Sequence, residues 1–164
     1  MEDLVYYIYI LNTKECSNMD KTIRTELGVM QKIKIEKMKF LYMEVPNDIE
    51  SQKNAWPKFE DHFPSLTGRK MYGLNYGEKK IYRVCSFVLE DDKGENFGLK
   101  QFEFKGGDYI RLRLKFDPPK LYEKIGPAYD FLINKYEESI DWSFPMIEHY
   151  KSHNILDIMI PLAK

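Results

Sequence analysis

Cysteine is scarce in this chain: 164 residues contain only Cys16 and Cys85, which stand far apart. Two isolated cysteines are too few for a disulfide framework, and they lack the close spacing of a zinc site. The three histidines, His62, His149 and His153, show no ligand spacing either. The sequence therefore predicts a cytoplasmic protein with no metal and no cofactor.

Charge of one sign and long apolar runs are also missing. The 25 basic and 26 acidic residues leave a net charge of −1, and no strongly basic block occurs, so direct nucleic-acid binding is not predicted. The apolar run at residues 4–11 is too short to span a bilayer. Glu2 and Asp3 stand where a signal peptide carries positive charge, so neither a membrane span nor export is expected.

Aromatic residues, by contrast, are plentiful. Twelve tyrosines and ten phenylalanines are more than a minimal core needs. Such rings either fill a tyrosine-rich core or line an apolar pocket that also carries hydroxyl groups. Composition alone does not separate these interpretations.

The order strand, helix, strand, strand is predicted twice. In the first half, residues 33–90, a strand at 33–45 ends at Pro46-Asn47-Asp48, where Asp48 is a suitable helix N-cap. A helical stripe and two strands at 70–76 and 79–90 follow. The stripe consists of apolar and amide side chains three or four residues apart: Ile49, Gln52, Trp56, Phe59 and Phe63.

The second half, residues 106–163, repeats that order. A strand alternates Ile110, Leu112 and Leu114 with Tyr109, Arg111 and Arg113, a helix face follows, and strands are predicted at 144–150 and 155–162. The helix face consists of Leu121, Ile125, Ala128, Tyr129, Leu132 and Tyr136.

Pro57 and Pro127 occupy corresponding helical positions seventy residues apart, which favours a duplication. The predicted fold is therefore α+β, a tandem βαββ repeat with a linker at 91–98. The domain is placed at residues 32–164, after an N-terminal extension of uncertain role at 1–31.

The last hairpin carries the candidate site. If Tyr150 pairs with Ile155, Glu148 and Asp157 lie opposite each other on one face of the sheet. Phe144, Met146 and Tyr150 share that face, and Trp56 and Trp142 are predicted near its edge. The face is either a hydrophobic pocket with an acidic floor or a partly exposed surface with two solvated acids, and a slipped register is the third alternative. His149 falls on the other face, among core residues.

Arg111 and Arg113 are interpreted as a charged strand face, with anion binding as the alternative. No serine or cysteine stands in a nucleophile motif, and Gly106-Gly107 precedes a strand, not a helix, so it is not a phosphate loop.

Several segments after residue 106 together resemble the GyrI-like effector-binding domain. They are Gly106-Gly107-Asp108-Tyr109, Ile125-Gly126-Pro127-Ala128-Tyr129-Asp130, Pro145-Met146-Ile147-Glu148-His149-Tyr150 and Ile160-Pro161-Leu162. This family includes ligand-sensing domains of AraC- and MerR-type activators and stand-alone gyrase-inhibitor-like proteins. The resemblance implies two βαββ units related by a pseudo-twofold axis, an antiparallel sheet with helices on one side, and a central cleft. It also implies that Glu148 meets lipophilic, often cationic, compounds.

Three functions are therefore weighed. The leading hypothesis is a sensor or sequestering module for amphipathic aromatic or cationic compounds. The second is a hydrolase of cyclopropane-type xenobiotics, with Glu148 as base and Tyr109, Tyr72 or Tyr150 as proton donor. The third is a gyrase-inhibitor-like interaction module with a protein partner or a second copy of itself. The predicted ligand-binding set is Glu148, Tyr150, Phe144, Met146, Asp157, Trp56, Tyr72, Tyr109 and Trp142.

Overall fold

One antiparallel sheet of nine strands organises the computed structural model, which describes residues 21–164. Its order across the sheet is β1-β2-β7-β9-β8-β4-β5-β3-β6. The helices are α1 (Ile49–Glu60), α2 (Lys120–Glu123) and α3 (Ile125–Tyr136). The predicted α+β class is confirmed. The strands are Thr22–Arg24 (β1), Val29–Ile35 (β2), Met38–Pro46 (β3), Met71–Tyr76 (β4), Ile81–Phe87 (β5), Lys100–Phe104 (β6), Gly107–Lys115 (β7), Met146–Ser152 (β8) and Ile155–Pro161 (β9).

The two βαββ units are present as β3-α1-β4-β5 and β7-α2-α3-β8-β9. Each unit is preceded by one further strand that pairs with the other unit: β2 pairs with β7, and β6 pairs with β3. The order β2-β7-β9-β8 on one side therefore mirrors β6-β3-β5-β4 on the other, about the β4–β8 pair. This arrangement has the pseudo-twofold symmetry that the resemblance implies.

The extra strands change two predicted boundaries. The single strand predicted at 33–45 is two strands separated by Glu36 and Lys37, and the expected domain start at residue 32 falls inside β2. Strand β6, which follows the predicted linker at 91–98, was not predicted. The first twenty residues of the predicted extension lie outside the described residues.

The sheet curls because a short connection joins two strands that are far apart in the sheet order. Two residues join β2 to β3 and reach about 11 Å at most, yet these strands stand six places apart in a sheet whose strands are spaced about 4.8 Å. Phe104 on β6 and Tyr109 on β7 accordingly lie with ring centroids 6.4 Å apart, although their strands are far apart in the sheet order. The face without helices is therefore concave, and it buries an aromatic core of its own, which includes Phe40, Tyr72 and Tyr109.

The helices pack on the opposite face, called here the helix face. Helix α1 contacts β3 and β5 through Ala55 and Phe59, and α3 contacts β7 and β9 through Ala128 and Leu132. Asp48 is the N-cap of α1, as predicted, and its carboxylate accepts a 2.8 Å hydrogen bond from the backbone N–H of Ser51. Strands β4 and β8 lie between the two helical regions, and a cleft opens above them.

Candidate functional site

A cavity of about 930 Å³ lies in this cleft between α1 and the α2–α3 region. Aromatic and aliphatic side chains form most of its wall, with amide groups at one side and charged groups toward the rim. The wall consists of Ile49, Gln52, Lys53, Trp56 and Glu60 from α1; Met71, Asn75 and Tyr82 from β4 and β5; Pro119, Tyr122, Glu123, Ile125, Gly126 and Tyr129 from α2, α3 and their neighbours; and Glu148 and Tyr150 from β8.

Glu148 lies at the floor of the cavity with only 5% of its surface exposed. Three tyrosine hydroxyls donate hydrogen bonds to its carboxylate. Tyr150 and Tyr82 donate to Oε2 at 2.6 and 2.8 Å, and Tyr129 donates to Oε1 at 3.2 Å. The three rings come from β8, β5 and α3, so both halves of the repeat build the site.

Among the described residues, the groups that stabilise the charge of the Glu148 carboxylate are all neutral. Within residues 21–164, no lysine, arginine or histidine lies within ion-pair distance of its carboxylate. Burial raises the pKa of Glu148, while the hydrogen bonds from Tyr150, Tyr82 and Tyr129 act in the opposite direction. Burial and the nearby carboxylate raise the pKa of each tyrosine well above its usual value, so the hydroxyls remain protonated donors.

Gly73 makes room for this cluster. It lies opposite Glu148 in the β4–β8 pair and between Glu148 and β5 in the sheet. A Cβ at Gly73 would lie 1.9 Å from Oη of Tyr82 and 2.9 Å from Oε2 of Glu148. The Tyr82 hydroxyl therefore reaches Glu148 across β4 only because residue 73 has no side chain.

The α1 wall combines an aromatic group with amides. The Trp56 ring packs edge-on against Tyr150, with ring centroids 4.9 Å apart. Gln52 Nε2 donates to Asn47 Oδ1 at 2.7 Å, and Asn47 Nδ2 donates to Asn75 Oδ1 at 2.9 Å. Gln52 and Asn75 thus form a fixed polar patch in a wall that is otherwise largely apolar.

The structure corrects the predicted register of the last hairpin. Tyr150 pairs with Leu156, not Ile155, and the pairing shifts at a bulge between Tyr150 and Ser152. Because alternate residues face opposite ways, a shift of one residue moves Asp157 to the concave face, where it pairs with His149. Asp157 accepts two hydrogen bonds from Arg113 at 2.7 and 2.8 Å, so the predicted pair of facing carboxylates does not exist.

Three of the nine predicted ligand-binding residues line the cavity: Glu148, Tyr150 and Trp56. Four others lie on the concave face or pack against its aromatic core: Tyr72, Tyr109, Asp157 and Phe144. Met146 packs against the core under α3, and Trp142 is 41% exposed and outside the cavity wall.

Tyr109 does not meet Glu148, because its hydroxyl donates to the backbone oxygen of Pro145 at 3.1 Å on the other face. The predicted pair of Glu148 as base and Tyr109 as proton donor is therefore wrong, because the two side chains lie on opposite faces of the sheet. Tyr82 and Tyr129 were missing from the predicted site. Tyr129 belongs to the predicted helix stripe, and only the packing of α3 over β8 reveals its partner.

Neither a protein-family model nor a curated protein matches the sequence, whereas solved structures match most of it. The integron cassette protein VCH_CASS2 from the mobile metagenome of Vibrio cholerae aligns over 82% of this chain and 95% of its own, with a TM-score of 0.61 and 18% identity. SAV2435, solved bound to tetraphenylphosphonium, aligns over 82% and 93%, with a TM-score of 0.59 and 12% identity. The C-terminal domain of EcmrR aligns over 82% and 97%, with a TM-score of 0.59 and 14% identity.

The chain has the GyrI-like fold. The predicted resemblance is thereby confirmed for the fold. No helix between residues 21 and 164 is long and apolar enough to cross a membrane. The same part of the chain holds no group of three or more histidine, cysteine or acidic side chains placed to bind a metal ion.

Proposed function

We propose that this GyrI-like domain binds lipophilic organic cations in the cavity between α1 and α3, with Glu148 as the counter-charge. The observation that carries the proposal is the burial of the Glu148 carboxylate among three hydroxyl donors, without a basic side chain beside it within residues 21–164.

A buried anion without a counter-ion is costly, because burial removes water that neutral donors only partly replace. A ligand cation in the cavity would compensate this charge in a medium of low polarity. Trp56 and Tyr150 present aromatic rings beside the carboxylate and add cation–π attraction. The same cavity would disfavour an anion, which would meet a like charge at its floor.

The size of the cavity fits such a ligand. Pockets for drug-sized molecules have volumes of about 300–1,000 Å³, and this one is about 930 Å³. A structural neighbour of the same fold, SAV2435, was solved with tetraphenylphosphonium, a large aromatic cation. We transfer that ligand class to this chain as part of the proposal, in which the domain acts as a sensor or sequestering module.

Tetraphenylphosphonium titrated into wild type and Glu148→Gln by calorimetry tests the proposal. Glutamine keeps the size of the side chain and removes the charge, so we expect affinity to fall at least about tenfold, or about 1.4 kcal/mol. Glu123→Gln removes the same charge from the exposed cavity rim and should change affinity less than about twofold. Neutral triphenylphosphine oxide should bind wild type and Glu148→Gln with similar affinity. Equal affinity of wild type and Glu148→Gln for the cation would refute the role of Glu148.

A further inference from the structure

The concave face of the sheet carries a second cavity, separate from the cation cavity and on the opposite side of β8. Its volume is about 230 Å³, and it lies beside the corner between β2 and β3. Met38, Tyr72 and Met159 give it apolar walls, while Arg111 and His149 contribute polar groups. No part of the proposed cation site uses these residues.

Arg111 is the unusual group in this cavity. Its Nη2 donates to Gln31 Oε1 at 2.7 Å on the neighbouring strand, which fixes the guanidinium with a neutral partner. Within the described part of the chain, its Nε–H is buried and has no hydrogen-bond partner. Arg113, two residues along the same strand, instead places Nε and Nη2 on the carboxylate of Asp157. Arg111 is thus a positioned guanidinium without a carboxylate among residues 21–164.

The surroundings of Arg111 favour an anion. Asp157 and Glu36 also border the cavity, but Arg113 already neutralises Asp157, and Glu36 is exposed to solvent. The His149 ring stacks on Tyr72, with centroids 4.2 Å apart, and burial lowers its pKa to about 4, so it is a neutral imidazole with an N–H to donate. Lys34 and Lys151, which are both exposed, line the same cavity and add positive potential to it.

We propose that this second cavity binds a small organic carboxylate, with its charged group on Arg111 and its apolar body against Met38, Met159 and Tyr72. A guanidinium fork matches the two oxygens of a carboxylate, and Arg111 lines the cavity without a carboxylate partner among residues 21–164. A cavity of about 150 Å³ is enough to hold a benzene ring, so about 230 Å³ accommodates one ring with a carboxylate. The methionine walls favour an anion with an apolar body over inorganic phosphate, which needs polar contacts on every side.

Benzoate is the probe, and benzamide, of the same shape but uncharged, is its control. In ¹⁵N-labelled full-length protein, the Nε–Hε resonance of Arg111 is identified by its loss in Arg111→Lys. We expect benzoate to shift this resonance with a saturable dependence on concentration, whereas benzamide does not. Arg111→Gln should weaken benzoate binding at least tenfold, measured on the amide resonances of the cavity, and Arg24→Gln, which removes an exposed arginine of β1, should leave it unchanged.

A thermal unfolding curve for each variant verifies that the fold is kept, and the Arg111 resonance in wild type gives a result that does not depend on any variant. Glu148→Gln should bind benzoate with wild-type affinity, because Glu148 lies on the other face. The proposal is overturned if benzoate and benzamide shift the Arg111 resonance alike, if neither shifts it, or if Arg111→Gln binds benzoate as well as wild type does. Clearly tighter benzoate binding in Glu148→Gln would also overturn it, because removal of a repelling carboxylate strengthens binding only if benzoate lies in the cation cavity.

Discussion

Glu148 is a single carboxylate whose ionisation links ligand binding to pH. Burial raises its pKa above the ordinary value of 4.5, so folding opposes its ionisation. Relative to Glu148→Gln, the stability of the folded chain should therefore be greatest below pH 4.5 and should decrease as pH rises through the folded pKa. Cation binding should change in the opposite direction, because only the ionised form attracts the ligand.

We therefore predict that the affinity for tetraphenylphosphonium increases as pH rises through the folded pKa of Glu148 and then levels off. Calorimetric titrations from about pH 4 to about pH 8 measure this change, and urea unfolding of the free protein at the same pH values measures the stability. Glu148→Gln should show a nearly flat binding profile. A profile that depends on pH equally in wild type and in Glu148→Gln would assign the titration to another group.

Gly73 provides a second prediction at the scale of one residue. Gly73→Ala places a methyl group where the Tyr82 hydroxyl lies, so Tyr82 must move and its bond to Glu148 is lost. We expect unfolding free energy to fall by about 2 kcal/mol and cation affinity to fall with it, since a buried hydrogen bond is lost and the packing is disturbed. Gly77→Ala is the matched control, because a Cβ there meets no atom within 4 Å. Urea unfolding of both variants measures the difference, and equal small losses would contradict the proposed role of Gly73.

At the scale of the elements, periodicity was enough to predict the two βαββ units, whereas only three of the nine predicted ligand-binding residues line the cavity. The stripe on α1 holds both core and cavity residues: Phe59 is buried, while Gln52 and Trp56 face the cleft. The register of the last hairpin was not predictable in this way. A bulge between Tyr150 and Ser152 adds one residue without changing the hydrophobic alternation before it, so Asp157 was assigned to the wrong face.

The partners of Glu148 were unpredictable for a related reason. Tyr82 and Tyr129 stand 66 and 19 residues from Glu148 in the chain, and they meet it only through strand order and helix packing. Pattern analysis of one hairpin predicts which side chains share a face but not which side chains from other elements cover it. Glu148 lies on the face of Met146 and Tyr150, as predicted, because that assignment does not depend on the pairing with β9, and its role in binding stays a prediction.

At the scale of the whole molecule, two short connections keep the sheet curled: one links β2 to β3, and the other links β6 to β7. Gly106 in the second connection has φ +76°, and a Cβ there would lie 2.2 Å from the backbone oxygen of Ile35 in β2. A substitution at Gly106 should therefore disturb the end of the β2–β7 pairing, where Ile35 lies opposite Gly107, beyond the local strain of its own backbone. Because both halves of the repeat contribute to both cavities, such a disturbance should affect the molecule as a unit.

Gly106→Ala separates these effects when it is compared with Gly94→Ala. Gly94 has φ +80°, but a Cβ there meets no atom within 4 Å, so its alanine variant measures backbone strain alone, about 1 kcal/mol. We expect Gly106→Ala to lose at least about 2 kcal/mol more, because the backbone of β2 must also move. Urea unfolding, followed by far-UV circular dichroism and by aromatic fluorescence, measures both losses. Coincident transitions are expected, since the two halves share one sheet. Equal losses in the two variants would show that the close approach of Gly106 to Ile35 adds nothing to the stability of the folded chain.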